Sequence, residues 1–160
     1  MKIAFLDRDG TLIYEPQETY QINAVEEIVV LEGVMRGLKE LSAAGYMLVM
    51  FTNQDGLGST DYPQATFDTV QDEIFNLLAQ EGIAFSKVFV CPHTATDGCD
   101  CRKPKTGLVD SFITANTIDL TTSFVCGDRA ADEGLAKNLG VRFVKMQTNG
   151  NFYEVIKGVI

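Results

Sequence analysis

Short apolar runs, each ending at charged or glycine-rich residues, set the rhythm of the chain. Ile3–Leu6, Tyr46–Phe51, Lys87–Val90, Ser123–Cys126 and Arg142–Met146 are brief and mostly rich in β-branched or aromatic residues, which predicts strands. Between them, apolar positions recur at helical spacing. Val34, Leu38 and Leu41 share one face before a glycine stop at Gly45. Phe67, Val70, Ile74 and Leu77 form a second stripe, opened near Pro63 and closed by Gly82. Leu108, Val109, Phe112 and Ile113 predict a third helix, and Ala131, Leu135 and Leu139, ending at Gly140, a fourth. Strand–helix alternation predicts an α/β fold, a three-layer doubly wound parallel sheet with helices on both faces. No repeat or linker-like segment interrupts it, so residues 1–160 are expected to form one domain. The segment Thr148–Ile160 reads as a short helix without an assigned role.

In open sheets of this kind, ligands collect beyond the carboxyl ends of the strands. Polar residues fall there on four successive strands: Asp7 and Asp9, then Thr52 and Asn53, then a Cys/His cluster with Lys103, then Gly127 and Asp128. Each piece has a bland reading. The D-x-D-G of Asp7–Gly10 forms Asx-type turns, Lys103 competes with Lys105 as an ordinary surface lysine, and Asp128 is as good a helix cap as a ligand. Their convergence on one edge changes the balance. Asp7, Asp9, Asp128 and Asp132 would repel one another unless a cation shared the site. Hard carboxylate and carbonyl oxygens suit Mg²⁺, and Lys103 with Arg102 could complete neutralisation so that a dianionic phosphate enters.

Composition narrows the classes further. The chain is 46% hydrophobic and 22% charged, as globular proteins are, and its apolar runs are far too short to span a bilayer. A net charge of -9 argues against nucleic acid and anionic membrane as partners. The opening MKIAFLD is broken by Asp7 too early for a secretory segment, and a cytoplasmic location is expected.

Of four cysteines, Cys126 lies in an apolar run and reads as a core residue. The other three crowd around the single histidine in CPHTATDGCDC, giving C-x-H-x5-C-x-C. Cys91, His93, Cys99 and Cys101 offer three thiolates and an imidazole, a closed tetrahedral set for Zn²⁺. Such a site would be structural, pinning the loop 91–101 that precedes Arg102 and Lys103.

In this order the pieces resemble the four-part signature of the haloacid-dehalogenase superfamily of phosphohydrolases: Asp7-x-Asp9-Gly-Thr, Thr52, Lys103 and Gly127–Asp128. The resemblance implies a Mg²⁺-dependent phosphomonoesterase. Asp7 would be the nucleophile that forms an aspartyl-phosphate, and Asp9 the general acid and then base. It implies that the Asp7 carboxylate, the Asp9 carbonyl and the Asp128 carboxylate hold Mg²⁺, while Thr52, Asn53 and Lys103, with Arg102, bind the phosphoryl group. No insertion between these motifs is large enough for a cap domain. A zinc loop before RKPK, DRDGTLI with a following Glu-Pro, and TNQDGLG resemble more narrowly the histidinol-phosphate phosphatase family, over about Lys2–Met146. A small phosphorylated metabolite is therefore the expected partner. Glu15 on the rim is expected to attract the substrate amine. Bifunctional members continue into a dehydratase domain, so fusion to or association with one stays open. So do a heptose-bisphosphate phosphatase, a receiver-like phosphoacceptor domain and a zinc-stapled interaction module.

Overall fold

A computed structural model of residues 1–160 contains one five-stranded sheet. Its strands are β1 (Lys2–Leu6), β2 (Tyr46–Asn53), β3 (Lys87–Cys91), β4 (Phe124–Gly127) and β5 (Arg142–Lys145). They run parallel in the order β3-β2-β1-β4-β5. The helices are α1 (Val34–Ala43), α2 (Gln64–Gln80), α3 (Asp110–Thr114), α4 (Ala130–Leu139) and α5 (Phe152–Ile156).

The pleat decides what each helix covers, because successive side chains on a strand point to opposite faces. Ala4, Leu6, Leu48, Met50, Phe124 and Cys126 face the larger core, which α1, α2 and α5 close with Leu38, Ile74, Leu78, Phe152 and Ile156. Ile3, Phe5, Val49, Phe51 and Val125 face the other core, closed by Val109 and by Leu135, Ala136 and Leu139 of α4. Strands buried on both faces read as continuous apolar runs, which is why their positions were legible. The thiol of Cys126 lies wholly within the larger core, and burial pushes its pKa up.

Three expectations need adjusting. The stripe on α2 buries Leu78, and Leu77 is only half-buried. The third helix shrinks to the single turn α3, with Val109 at its N-cap; its apolar residues still reach the core from a mostly irregular crossover. The C-terminal segment is not idle. Phe152 is fully buried, and a Cβ on Gly37 would lie 2.7 Å from its ring, so α5 and α1 meet at near-backbone distance.

Between β1 and α1 the chain adds no further layer. Leu12, Ile13 and Ile22 are buried, and Ile13 pairs with Val30 through an isolated bridge. The carboxyl ends beside β1 are thereby left uncapped at the point where the chain reverses direction across the sheet, between β1 and β4.

Candidate active site

Asp7 is the first residue past β1, and its amide donates to the Cys126 carbonyl across the switch point (3.0 Å). At the end of β4, Gly127 and the following Asp128 stand opposite. Two glycines allow the close approach. Gly10 has φ +78°, and a Cβ there would lie 2.7 Å from Asp128 Oδ2; a Cβ on Gly127 would lie 2.2 Å from the Asp132 carboxyl carbon. Asp132, on the first turn of α4, can therefore fold back against β4.

Lys103 joins the two sides. Its Nζ donates to Asp7 Oδ1 and to Asp132 Oδ1, both at 2.7 Å, and all three groups are buried. Burial opposes the charge on Lys103, but the two carboxylates outweigh it and hold the ammonium above its ordinary range. Lys105, the sequence competitor, instead reaches the Cys99 carbonyl and Asp100. Asn53 fixes the Lys103 backbone from both sides: its Oδ1 accepts from Lys103 N (3.0 Å) and its Nδ2 donates to Lys103 O (3.3 Å).

Asp7, Asp128 and Asp132 offer oxygens within 4.8 Å of one another. Asp128 Oδ2 accepts from Thr148 Oγ1 (2.7 Å), whereas Asp128 Oδ1 is buried without a hydrogen-bond partner. Burial, with Asp132 and Asp9 nearby, pushes Asp7 up to about 7 despite Lys103. An orphaned carboxylate oxygen beside two more is a hard, oxygen-only donor set with excess negative charge. It fits Mg²⁺.

Asp9 stands apart from that trio. Arg8 holds it bidentately, Nε to Oδ1 at 2.8 Å and Nη2 to Oδ2 at 3.0 Å, and Gln54 Nε2 donates to Oδ2 at 2.7 Å. Gln54 also donates to Thr52 Oγ1 (2.8 Å), at the buried end of β2. Neutralisation thus differs from the sequence expectation: the second cation beside the carboxylates is Arg8, while Arg102 pairs with Asp55 and donates to the His93 carbonyl (2.9 Å).

Above these groups lies a cavity of about 360 Å³, lined by Asp7, Asp9, Thr52, Asn53, Arg102 and Lys103, with Glu15, Tyr20, Tyr62 and Arg129 further out. Glu15 is not a solvated rim group. It is 3% exposed, paired with Arg129, and its backbone is fastened on both sides by the Asn149 amide (2.7 and 3.0 Å). Burial, partly offset by Arg129, raises its pKa.

The four zinc candidates also converge. Cys91 Sγ lies 3.1 Å from Cys101 Sγ, 3.8 Å from Cys99 Sγ and 3.6 Å from His93 Nδ1. All four ligand atoms fall within 4.8 Å of one another, close to the edges of roughly 3.3–3.8 Å that zinc–ligand bonds of about 2.0–2.3 Å imply for a tetrahedron. The loop is fastened to the end of β2 by Gln54 N to Cys91 O (2.8 Å) and Gly56 N to Pro92 O (3.0 Å).

Fold and site together define an uncapped α/β domain of the haloacid-dehalogenase type. Residues 2–152 match the family model described as polynucleotide kinase 3 phosphatase, and the chain belongs to that family. It is 38% identical over 159 residues to the histidine biosynthesis bifunctional protein HisB of Legionella pneumophila (strain Lens). That alignment covers 99% of this chain and 45% of the relative. Identity to the HisB protein of Baumannia cicadellinicola is 41% over 155 residues, covering 97% and 44%. The chain thus spans less than half the length of these curated relatives. Among solved structures it is similar to D,D-heptose 1,7-bisphosphate phosphatase from B. bronchiseptica, complexed with magnesium and phosphate. There the TM-score is 0.82, with 30% identity over 99% of this chain and 87% of that one.

Several residues of the site went unnoticed in the sequence: Arg8, Gln54, Tyr62, Gln71, Arg129, Thr148 and Asn149. The only local signal was Arg8 itself, a cation set between two aspartates.

The elevated Asp7 carboxyl has a measurable consequence. Raised from 3.8 to about 7, it binds its proton more tightly folded than unfolded. The resulting stabilisation is fully present below the unfolded value and is lost as pH rises through about 7. A cation bound there would substitute for that proton. The rise in Tm produced by saturating magnesium is therefore expected to grow between pH 5 and pH 8; an equal or larger rise at pH 5 would contradict this electrostatic account.

Proposed function

We propose that this chain is a Mg²⁺-dependent phosphomonoesterase that acts through an aspartyl-phosphate on Asp7, with histidinol phosphate as its substrate. The observation that carries the reading is the convergence of Asp7, Lys103, Asp128 and Asp132 beneath an open cavity, with Asp128 Oδ1 left unpartnered.

An Asp7 carboxylate oxygen attacks phosphorus as the bond to the substrate alcohol breaks, and Asp9 gives its proton to the departing oxygen. Asp9, now ionised, takes a proton from the water that attacks the phosphorus of the aspartyl-phosphate. Phosphate leaves, and Asp7 and Asp9 return to their starting states. Lys103, 2.7 Å from Asp7, balances charge on the transferring group. Asn53 keeps Lys103 in register, and Thr52 presents its hydroxyl at the cavity floor. A magnesium ion held by Asp7, Asp128 and the Asp9 carbonyl would neutralise substrate phosphate and orient it for in-line attack.

The choice of substrate rests on the relatives and on the charges around the cavity. Its lining carries five carboxylates (Asp7, Asp9, Glu15, Asp55, Asp132) against three cations (Arg102, Lys103, Arg129). Each cation is already paired: Arg102 with Asp55, Lys103 with Asp7 and Asp132, Arg129 with Glu15. A bisphosphate would find no free cation for its second phosphate. A monophosphate with a cationic tail suits the acidic excess. The greater length and bifunctional description of the HisB relatives support fusion to, or association with, a second enzymatic domain.

Zinc at Cys91, His93, Cys99 and Cys101 would be structural, since three thiolates and an imidazole leave no open position. Metal analysis should find one equivalent of zinc in the purified chain, and Cys101→Ser should lose it together with thermal stability. Zinc-free, fully stable wild-type protein would remove the assignment.

The activity itself is tested by phosphate release from histidinol phosphate, with heptose 1,7-bisphosphate as competitor. Histidinol phosphate should show the higher kcat/KM, magnesium should be required, and Asp7→Asn should lower kcat by more than about 10³-fold. Persistent turnover in Asp7→Asn would refute the nucleophile, and preference for the bisphosphate would refute the substrate.

A further inference from the structure

Arg8 sits between the two aspartates and is the largest wholly buried side chain of the protein. Nothing in the chemistry above uses it. Burying a guanidinium is costly, and apolar replacement of buried ion pairs is often neutral or stabilising, so its presence here calls for a reason.

Its contacts supply one. Every side-chain hydrogen bond of Arg8 runs to Asp9 or to a glutamine that supports the same cluster. Nε and Nη2 grip the two Asp9 oxygens, Nη2 also donates to Gln54 Oε1 (3.2 Å), and Nη1 donates to Gln71 Oε1 (2.9 Å). The Phe67 ring lies 5.2 Å from its guanidinium carbon. Gln71 is a polar residue on the buried face of α2, where every other buried side chain is apolar. Gln54 is fixed in turn: Tyr62 Oη donates to its Oε1 (2.7 Å), while its Nε2 serves Asp9 and Thr52. Asp9 therefore accepts three hydrogen bonds from side chains that are themselves held. A carboxylate has about four acceptor positions, which leaves one for a reacting proton.

We infer that Arg8, braced by Gln71 and Gln54, is a positioning residue that fixes the Asp9 carboxylate for proton transfer to the leaving oxygen. Arg8 does not touch the substrate. Its planar fork sets the plane and rotation of Asp9 in a way a lysine cannot reproduce. This inference rests on the phosphatase reading, because it needs Asp9 to meet a leaving group.

Leaving-group dependence separates positioning from general structural damage. A departing alkoxide needs a proton, whereas p-nitrophenolate leaves without one. The reading is first-turnover release of the leaving group by rapid quench, which isolates transfer to Asp7 from the later hydrolysis. For Arg8→Lys, release of histidinol is expected to slow by about 10–100-fold, within the range general acids contribute. Release of p-nitrophenolate should slow by less than about threefold. Gln71→Met, which preserves volume and removes the brace together with a weak contact from Gln71 Nε2 to Met50 Sδ (3.6 Å), should show the same selectivity at about 5–10-fold, and it guards against an Arg8 variant that fails to fold. Equal slowing for both leaving groups, or none for either, would overturn the positioning role. Absence of Asp7-dependent release from the unaltered chain would instead fell the phosphatase reading, and this role with it.

Discussion

Lys103 is the hinge of this site's electrostatics. One buried ammonium bridges a carboxylate from the end of β1 to another from the start of α4. Desolvating an ammonium and two carboxylates is expensive, and their attraction compensates only when the geometry is held closely. Much of the surrounding structure meets that demand. Gly127 makes room for Asp132, Asn53 clamps the Lys103 backbone, and the loop 91–101 delivers Lys103 from the end of β3. Removing any one of these leaves a buried charge without its partner, so they act together.

Charge around the cavity divides into two compartments. On one side, three carboxylates and Lys103 would retain two negative charges when ionised, which a divalent cation would cancel. On the other, Asp9 is matched by Arg8 from below. Separating these compartments would let two carboxylates only two residues apart take different parts in the proposed reaction. Asp7 faces the metal trio, while Asp9 is bound into a network of glutamines. The two cations produce the split: the Arg8 guanidinium binds both Asp9 oxygens, while Lys103 holds Asp7 and Asp132.

How much of this could be read from the sequence follows from the range of each interaction. Strand positions were legible because β1, β2 and β4 are buried on both sides and therefore uniformly apolar. Asp7, Asp128 and the Cys/His cluster were legible because their chemistry is concentrated in short segments. The fate of Arg8 was not, since its partners Gln54 and Gln71 lie 46 and 63 residues away and look like surface glutamines in isolation. Glu15 lines the cavity, but its surroundings are not legible in the sequence, because its partner Arg129 lies 114 residues further along the chain. The same separation along the chain hides Thr148 and Asn149. They follow β5, yet bond to Asp128 and to the Glu15 backbone. The third helix failed differently: apolar spacing there marked residues that reach the core, but only one turn of helix carries them.

The proposed mechanism depends on transient phosphorylation of Asp7. Quenching the magnesium-loaded protein in acid during turnover, then digesting it and measuring peptide masses, addresses it directly. One phosphoryl group is expected, confined to the peptide that carries Asp7. Steady turnover with that peptide unmodified at every quench time, or with the phosphoryl group on another residue, would contradict it.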